Sequence, residues 1–229
     1  MAPSEHGRVI LVPTPIGHLE DITLRALEVL RNADEVWCED TRHTKALMNR
    51  YHIQRPLRSL HQHNEHRVLP GWVAKVARRA QTIAVVTDAG TPGISDPGYL
   101  VVQECYRQGV LVDCLPGPTA LIPSLVLSGL PAHRFAFEGF LTPKKGRRKR
   151  LEAFRDDERT MIFYESPRRL LRTLRDLLEY LGSSRQAAVI RELTKVHQEV
   201  RRGTLMELYA HYEQHPVRGE VVLVVAGRS

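Results

Sequence analysis

Thr82-Ile83-Ala84-Val85-Val86, running into Thr87-Asp88-Ala89-Gly90-Thr91-Pro92-Gly93-Ile94-Ser95-Asp96-Pro97-Gly98, decides the fold class. The first five residues are apolar or β-branched and stop at a turn-rich segment, so they read as a buried strand feeding a loop. Residues 65–80 before them carry a helical pattern, and a second helix runs from the loop to about Gln108. Val110 to Leu115 is then another strand, closed by Pro116-Gly117-Pro118-Thr119-Ala120. Further upstream, Arg8 to Val12 is a strand ended by Pro13-Thr14-Pro15-Ile16-Gly17. Leu24, Leu27 and Leu30 repeat on one face of a helix that Asp21 is expected to cap, and Asp34 to Glu39 forms a further strand. Strands alternating with helices predict a mainly parallel sheet covered by helices.

The second half has a different texture. Arg134 to Phe140 alternates aromatic and small residues as a strand does, and Thr160 to Tyr164 is another strand. Ser166 and Pro167 start a helix whose stripe of Leu170, Leu174, Leu177, Leu178 and Leu181 ends before Gly182. Ala187 to Arg191 and Gly219 to Ala226 read as strands, with a short helix from about Leu205 to Tyr212 between them. Gly129 and Pro131 interrupt the pattern, placing a domain boundary there. The expected architecture is two α/β domains, residues 1–128 and 129–229.

The 229 residues are 42% hydrophobic and 26% charged, ordinary values for a globular protein. No apolar run approaches the ~20 residues that span a bilayer. Met1 to Arg8 lacks an apolar signal core, so the expected compartment is the cytoplasm, with no membrane contact. Cys38, Cys105 and Cys114 show neither metal nor disulfide spacing. A net charge of +7 raises the prior for a polyanionic partner without naming one.

Three Gly/Pro-rich loops, residues 13–17, 88–98 and 116–120, each follow a predicted strand. In open α/β sheets ligands gather beyond the carboxyl ends of the strands. Ordinary turn chemistry explains any one of these loops; three together favour a site. No G-x-G-x-x-G follows the first strand and no G-x-x-x-x-G-K-[ST] occurs, which argues against a conventional dinucleotide fold and a P-loop. The pattern suits a small ligand without phosphates, held largely by backbone groups.

Val12-Pro13-Thr14-Pro15-Ile16-Gly17, Leu19-Glu20-Asp21-Ile22-Thr23, Glu39-Asp40-Thr41-Arg42 and the 88–98 and 116–120 loops resemble the tetrapyrrole-methylase superfamily. Within it they are similar to the ribosomal RNA small subunit methyltransferase I branch. Phe163-Tyr164-Glu165-Ser166-Pro167, Arg191-Glu192-Leu193-Thr194-Lys195 and Gly219-Glu220 continue that likeness in order. The resemblance implies a cleft between the two α/β domains that holds S-adenosylmethionine, a homodimer, and methyl transfer to a cytidine ribose 2′-hydroxyl in 16S small-subunit ribosomal RNA, free or in the assembled 30S subunit. It places cofactor contacts at Pro15, Ile16, Gly17, Gly90, Thr91, Ile94, Ser95, Asp96, Pro118, Thr119, Ala120, Tyr164, Arg191 and Gly219. Relatives acting on corrin precursors usually have a G-D-P type turn where this chain has Gly90-Thr91-Pro92, which supports the RNA branch and leaves Thr91 without a firm role.

A ribose hydroxyl is a poor nucleophile, so a base taking its proton would help. Asp88, Glu192 and Lys195 are the catalytic candidates, with Glu165 a further one. Each also has a duller reading as a loop cap or ion-pair partner, such as Glu192 with Arg191, and proximity alone can drive the transfer. Lys144, Lys145, Arg147, Arg148, Lys149 and Arg150 put six positive charges in seven residues. Such a run neutralises phosphates without reading sequence, and it is assigned to RNA contact over a merely solvated helix start. Arg168, Arg169, Arg172 and Arg175 either widen that patch or keep the later helix soluble. His61-Gln62-His63-Asn64-Glu65-His66 matches no zinc spacing, so no metal is expected; Asn64 or Glu65 is expected to cap the next helix, with His63, Asn64 and Glu65 as possible substrate contacts. Two other readings remain: a methyltransferase for a tetrapyrrole precursor, and a non-catalytic RNA-binding assembly protein.

Overall fold

The computed structural model describes residues 7–142 and 146–228, so Lys144 and Lys145 of the basic run lie outside the described residues. The chain divides into two compact units, residues 1–119 and 120–229.

In the first unit β1 (Arg8–Leu11), β2 (Glu35–Cys38), β3 (Leu57–Ser59), β4 (Thr82–Val86) and β5 (Leu111–Cys114) form one sheet in the order β3-β2-β4-β1-β5. Every pairing is parallel. Parallel neighbours need long crossovers, which α1 (Leu24–Asn32), α2 (Thr41–Arg50), α3 (Glu65–Arg79) and α4 (Tyr99–Arg107) supply. Successive strand side chains point to opposite faces. Ile10, Val36, Ala84 and Val86 pack with Ala26, Leu27 and Leu30 of α1. Val9, Leu11, Trp37, Ile83 and Val85 pack with Leu69, Val73 and Val76 of α3 and with Val101 and Cys105 of α4. A sheet buried on both faces needs continuously apolar strands, which is why Thr82–Val86 reads as a run.

Local details depart from the sequence reading. Thr23, not Asp21, caps α1: its hydroxyl accepts the Ala26 N–H at 3.0 Å, and Asp21 sits in a one-turn 3-10 helix upstream. Asn64 precedes α3 but does not cap it; its amide ties the loop together, donating to Ser59 O and accepting from His61 N, both at 3.0 Å. α2 and β3 carried too little apolar pattern to be anticipated: α2 buries Thr44 and Met48, and β3 is three half-buried residues.

In the second unit α5 (Leu121–Ser128) is followed by β6 (Phe135–Phe140), α6 (Arg147–Phe154), β7 (Thr160–Glu165), α7 (Pro167–Leu181), β8 (Gln186–Arg191), β9 (Glu199–Thr204), α8 (Leu205–Gln214) and β10 (Val221–Val225). The sheet order is β6-β7-β10-β8-β9; β6 and β7 are parallel and the other pairings antiparallel. The leucine stripe of α7 enters a core with Leu151 and Phe154 of α6, Leu205 and Leu208 of α8, and Met161, Phe163, Val189 and Leu223 of the sheet. α5 packs against β8, β9 and β10 and so groups with this unit; the sequence-based division had fallen at the end of this helix. Among the described residues no helix is long and apolar enough to cross a membrane.

Candidate cofactor site

In the first unit the three Gly/Pro loops come together at the carboxyl ends of β1, β4 and β5. Thr14 and Gly90 exchange backbone hydrogen bonds of 3.0 and 2.9 Å. The buried Thr14 hydroxyl donates to Thr87 O at 3.1 Å, and the Thr91 hydroxyl donates to Pro118 O at 3.0 Å. Thr91 therefore straps the second loop to the third, a role its sequence context had not supplied. Gly90 has φ +80°, a left-handed conformation costly for any residue with a side chain. Gly117 lies so close to Pro13 that a Cβ would sit 2.8 Å from the ring. Pro15, Ile16, Gly17, Gly90, Thr91, Pro118 and Thr119 thus belong to one cross-linked cradle, while Ile94, Ser95 and Asp96 lie further along its middle loop.

Acidic groups edge this cradle. Burial pushes the Glu39 carboxyl above its usual range, and the charges of Asp96 and Asp88 push it further. Burial, then the charge of Asp88, likewise raises Asp96. Asp88 Oδ1 accepts the Asp40 N–H at 3.2 Å, tying the ends of β2 and β4 together. The sequence named Asp88 and Asp96 but gave Glu39 no role, although Glu39-Asp40-Thr41-Arg42 stood out as a motif.

In the second unit Tyr164, Arg191 and Gly219 lie at one end of the inner strands β7, β8 and β10, where Val221 pairs with Glu165 on one side and Arg191 on the other. Tyr164 packs edge-on against Phe137 and Phe140, with ring centroids 4.9 and 5.9 Å away. Glu192 does not pair with Arg191 as suggested. Arg191 grips Glu199 of β9 at 3.0 Å, its direct partner in the sheet register. Glu192 Oε1 instead accepts from Lys195 Nζ at 3.0 Å and Glu220 N at 2.8 Å. Hydrogen bonding from the Glu220 N–H lowers the Glu192 pKa. Lys195 also reaches Glu220 at 3.0 Å. Glu165 is fully engaged inside the protein, by Thr173 Oγ1 at 2.6 Å, Ser166 N at 2.8 Å and Arg169 at 3.3 Å.

The basic run divides. The Arg147 side chain is 7% exposed; it donates to Asp176 at 2.7 Å and to Thr173 Oγ1 and Thr142 O at 3.1 Å. It is a structural cation with no face left for a phosphate. Arg148 pairs with Glu152 at 2.8 Å and Arg150 with Glu138 at 2.6 Å, both at the surface, and Lys149 is exposed. Among the described residues no group of three or more His, Cys, Asp or Glu side chains is gathered closely enough to hold a metal ion.

An all-parallel unit carrying three cross-linked loops and a second unit with a mixed sheet make up the α/β fold. The profile of the family Tetrapyrrole (Corrin/Porphyrin) Methylases matches residues 8–209, and the chain belongs to that family. Within it, the chain is 45% identical over 97% of its length to the whole of the Thermotoga maritima protein named ribosomal RNA small subunit methyltransferase I. It is 47% identical to the Synechocystis protein of the same name, covering 97% of this chain and 80% of that one. Two solved structures share the fold: diphthine synthase (TM-score 0.75, 15% identity, 97% of this chain and 90% of that one), and uroporphyrin-III C-methyltransferase from Thermus thermophilus complexed with S-adenosyl homocysteine (TM-score 0.65, 23% identity, 96% and 97%).

Proposed function

We propose that the protein is an S-adenosylmethionine-dependent methyltransferase of small-subunit ribosomal RNA, delivering its methyl group to a cytidine ribose 2′-hydroxyl. The observation that carries this reading is the nearly full-length identity of 45–47% to proteins named ribosomal RNA small subunit methyltransferase I.

The cradle suits the cofactor on physical grounds. Loop segments 13–17, 87–98 and 116–119 contain no Lys or Arg, so no side-chain cation there grips a phosphate. Glu39 and Asp96 are held above their usual pKa range by burial and by neighbouring negative charge, a strain that a bound cation relieves. S-adenosylmethionine carries both a sulfonium and an ammonium group, and when bound it supplies an already activated methyl group. Backbone groups of Ile16 and Thr91 would hold it, and Gly90, whose own N–H and C=O bond Thr14, leaves room for its close approach. The chain's remaining work is to align the acceptor, exclude water and receive a proton. Glu192 and Lys195 hold each other, whereas Asp88 makes no ion pair among the described residues. Asp88 is therefore the better candidate to take the 2′-hydroxyl proton, and Glu192 and Lys195 the better candidates to brace the Gly219 turn. Arg148, Lys149 and Arg150 supply salt-dependent attraction to the RNA backbone.

The protein works in the cytoplasm as a homodimer; the strip of Ile122, Val126 and Leu127 exposed on α5 supports self-association. The test is incubation with labelled S-adenosylmethionine and unmodified small ribosomal subunits, followed by mapping of the label. The expected product is one 2′-O-methylcytidine. Cofactor binding with no transfer to RNA would refute the assignment, and label on a tetrapyrrole instead would identify the rival substrate class.

A further inference from the structure

We propose that a pocket in the first unit, between α2 and the segment entering β3, seats one unstacked nucleotide of the RNA substrate, its base against an apolar floor and its phosphate at a cationic rim. The proposal rests on the RNA reading above and adds a binding subsite to it. The pocket has a volume of about 690 Å³, within the roughly 300–1,000 Å³ typical of small-ligand sites. Met48 and Ile53, both buried, and half-buried Leu57 form its floor. Arg42, Lys45 and Arg55 line it, and among the described residues no carboxylate does.

Each half of this lining matches one half of a nucleotide. A base offers a flat face that gains from apolar contact whatever its sequence, and a phosphate is drawn by clustered cations. Duplex RNA hides its bases, so proteins that engage them take unpaired, splayed nucleotides. The cations are available at little cost. Arg42 pairs with Asp40 at 2.7 Å, but its side chain is 90% exposed, and pairs so exposed contribute little. Arg55 donates to the Arg31 carbonyl at the end of α1 and keeps its charge at the surface.

Position also favours the substrate over an unrelated anion. Thr41 lines the pocket and directly follows Glu39-Asp40 at the end of β2. Asp40 N–H is bonded to Asp88, the candidate base. A strand presenting its ribose to Asp88 therefore has neighbouring nucleotides within reach of α2.

The experiment measures RNA affinity, its salt dependence and methyl transfer for wild-type protein and for Lys45→Glu and Lys45→Glu/Arg55→Glu. The double variant should bind small-subunit RNA at least ten-fold more weakly, and its slope of log K against log salt should flatten by about 0.7, the value for one single-strand phosphate contact. S-adenosylmethionine affinity and kcat at saturating RNA should stay at wild-type values, with the loss appearing in KM. The single variant should show about half the change in slope, which covers the case in which losing Arg55 disturbs the end of α1. A photo-crosslinker at Gln54, also on the lining, should capture RNA. Unchanged affinity and slope in both variants, with methylation of RNA intact, would overturn the pocket alone. Wild-type protein that neither binds nor methylates RNA would overturn the pocket together with the reading beneath it.

Discussion

Replacing Arg147 by Met should destabilise the second unit and leave RNA affinity nearly untouched, although Arg147 sits inside the most basic stretch of the chain. The guanidinium joins Asp176, Thr173 and Thr142 O, and Thr173 in turn donates to the buried Glu165 carboxylate. Met keeps the apolar stem and removes only the charge and its donors. Taking one partner from a buried ion pair costs roughly 3–5 kcal/mol. Asp176 retains 17% side-chain exposure and keeps Arg172 and Arg175 at 3.9 Å, so water and these cations argue for the lower end, about 3 kcal/mol. For a chain of this size each kcal/mol moves Tm by roughly 2–4 °C, so the expected fall is roughly 6–12 °C. Arg148→Met is the control: its side chain is 83% exposed, and its Tm should stay near wild type. Differential scanning calorimetry with parallel RNA titrations reads both quantities. An Arg147→Met protein that melts like wild type while losing RNA affinity would refute the structural assignment.

Gly90→Val should abolish S-adenosylmethionine uptake measured by calorimetry, since Gly90 has φ +80°, a conformation side-chain-bearing residues rarely adopt, and a valine side chain would stand in the cradle; normal uptake by a folded variant would remove Gly90 from the site. Glu39 and Asp96 have raised pKa values in the fold, so the stability they contribute is fully present below their ordinary values of 4.5 and 3.8 and is lost as pH rises through the raised ones. Asp96→Asn should therefore raise the Tm of the ligand-free protein at pH 7.5, an advantage that disappears below pH ~3.8; a lower Tm at pH 7.5 would contradict the cause assigned to the shift. Arg148→Glu with Lys149→Glu should weaken RNA binding and flatten its salt slope while sparing cofactor affinity, and an unchanged slope would take α6 out of the RNA interface.

What the sequence alone determined was whatever local pattern encodes. Continuous apolar runs announced the buried parallel strands, and the leucine stripe of α7 announced its core face, because burial repeats with the period of the element itself. The Gly/Pro loops after strands marked the cradle for the same reason, since backbone that must turn sharply can use few residues. Segments with weak or polar patterns stayed illegible: edge strand β9, with its two exposed arginines, and short β3 look like loops until a neighbour pairs with them. Only the tertiary structure decided which charge meets which. Arg147 and Arg148 are adjacent in one basic run, yet one faces Asp176 inside the protein and the other faces solvent. Arg191 turned to Glu199 because β8 and β9 pair in that register, and Glu39 came under the influence of Asp96 only because β2 and β4 lie side by side. Electrostatic partners depend on distances across the chain, and those exist only after the strands have chosen their neighbours.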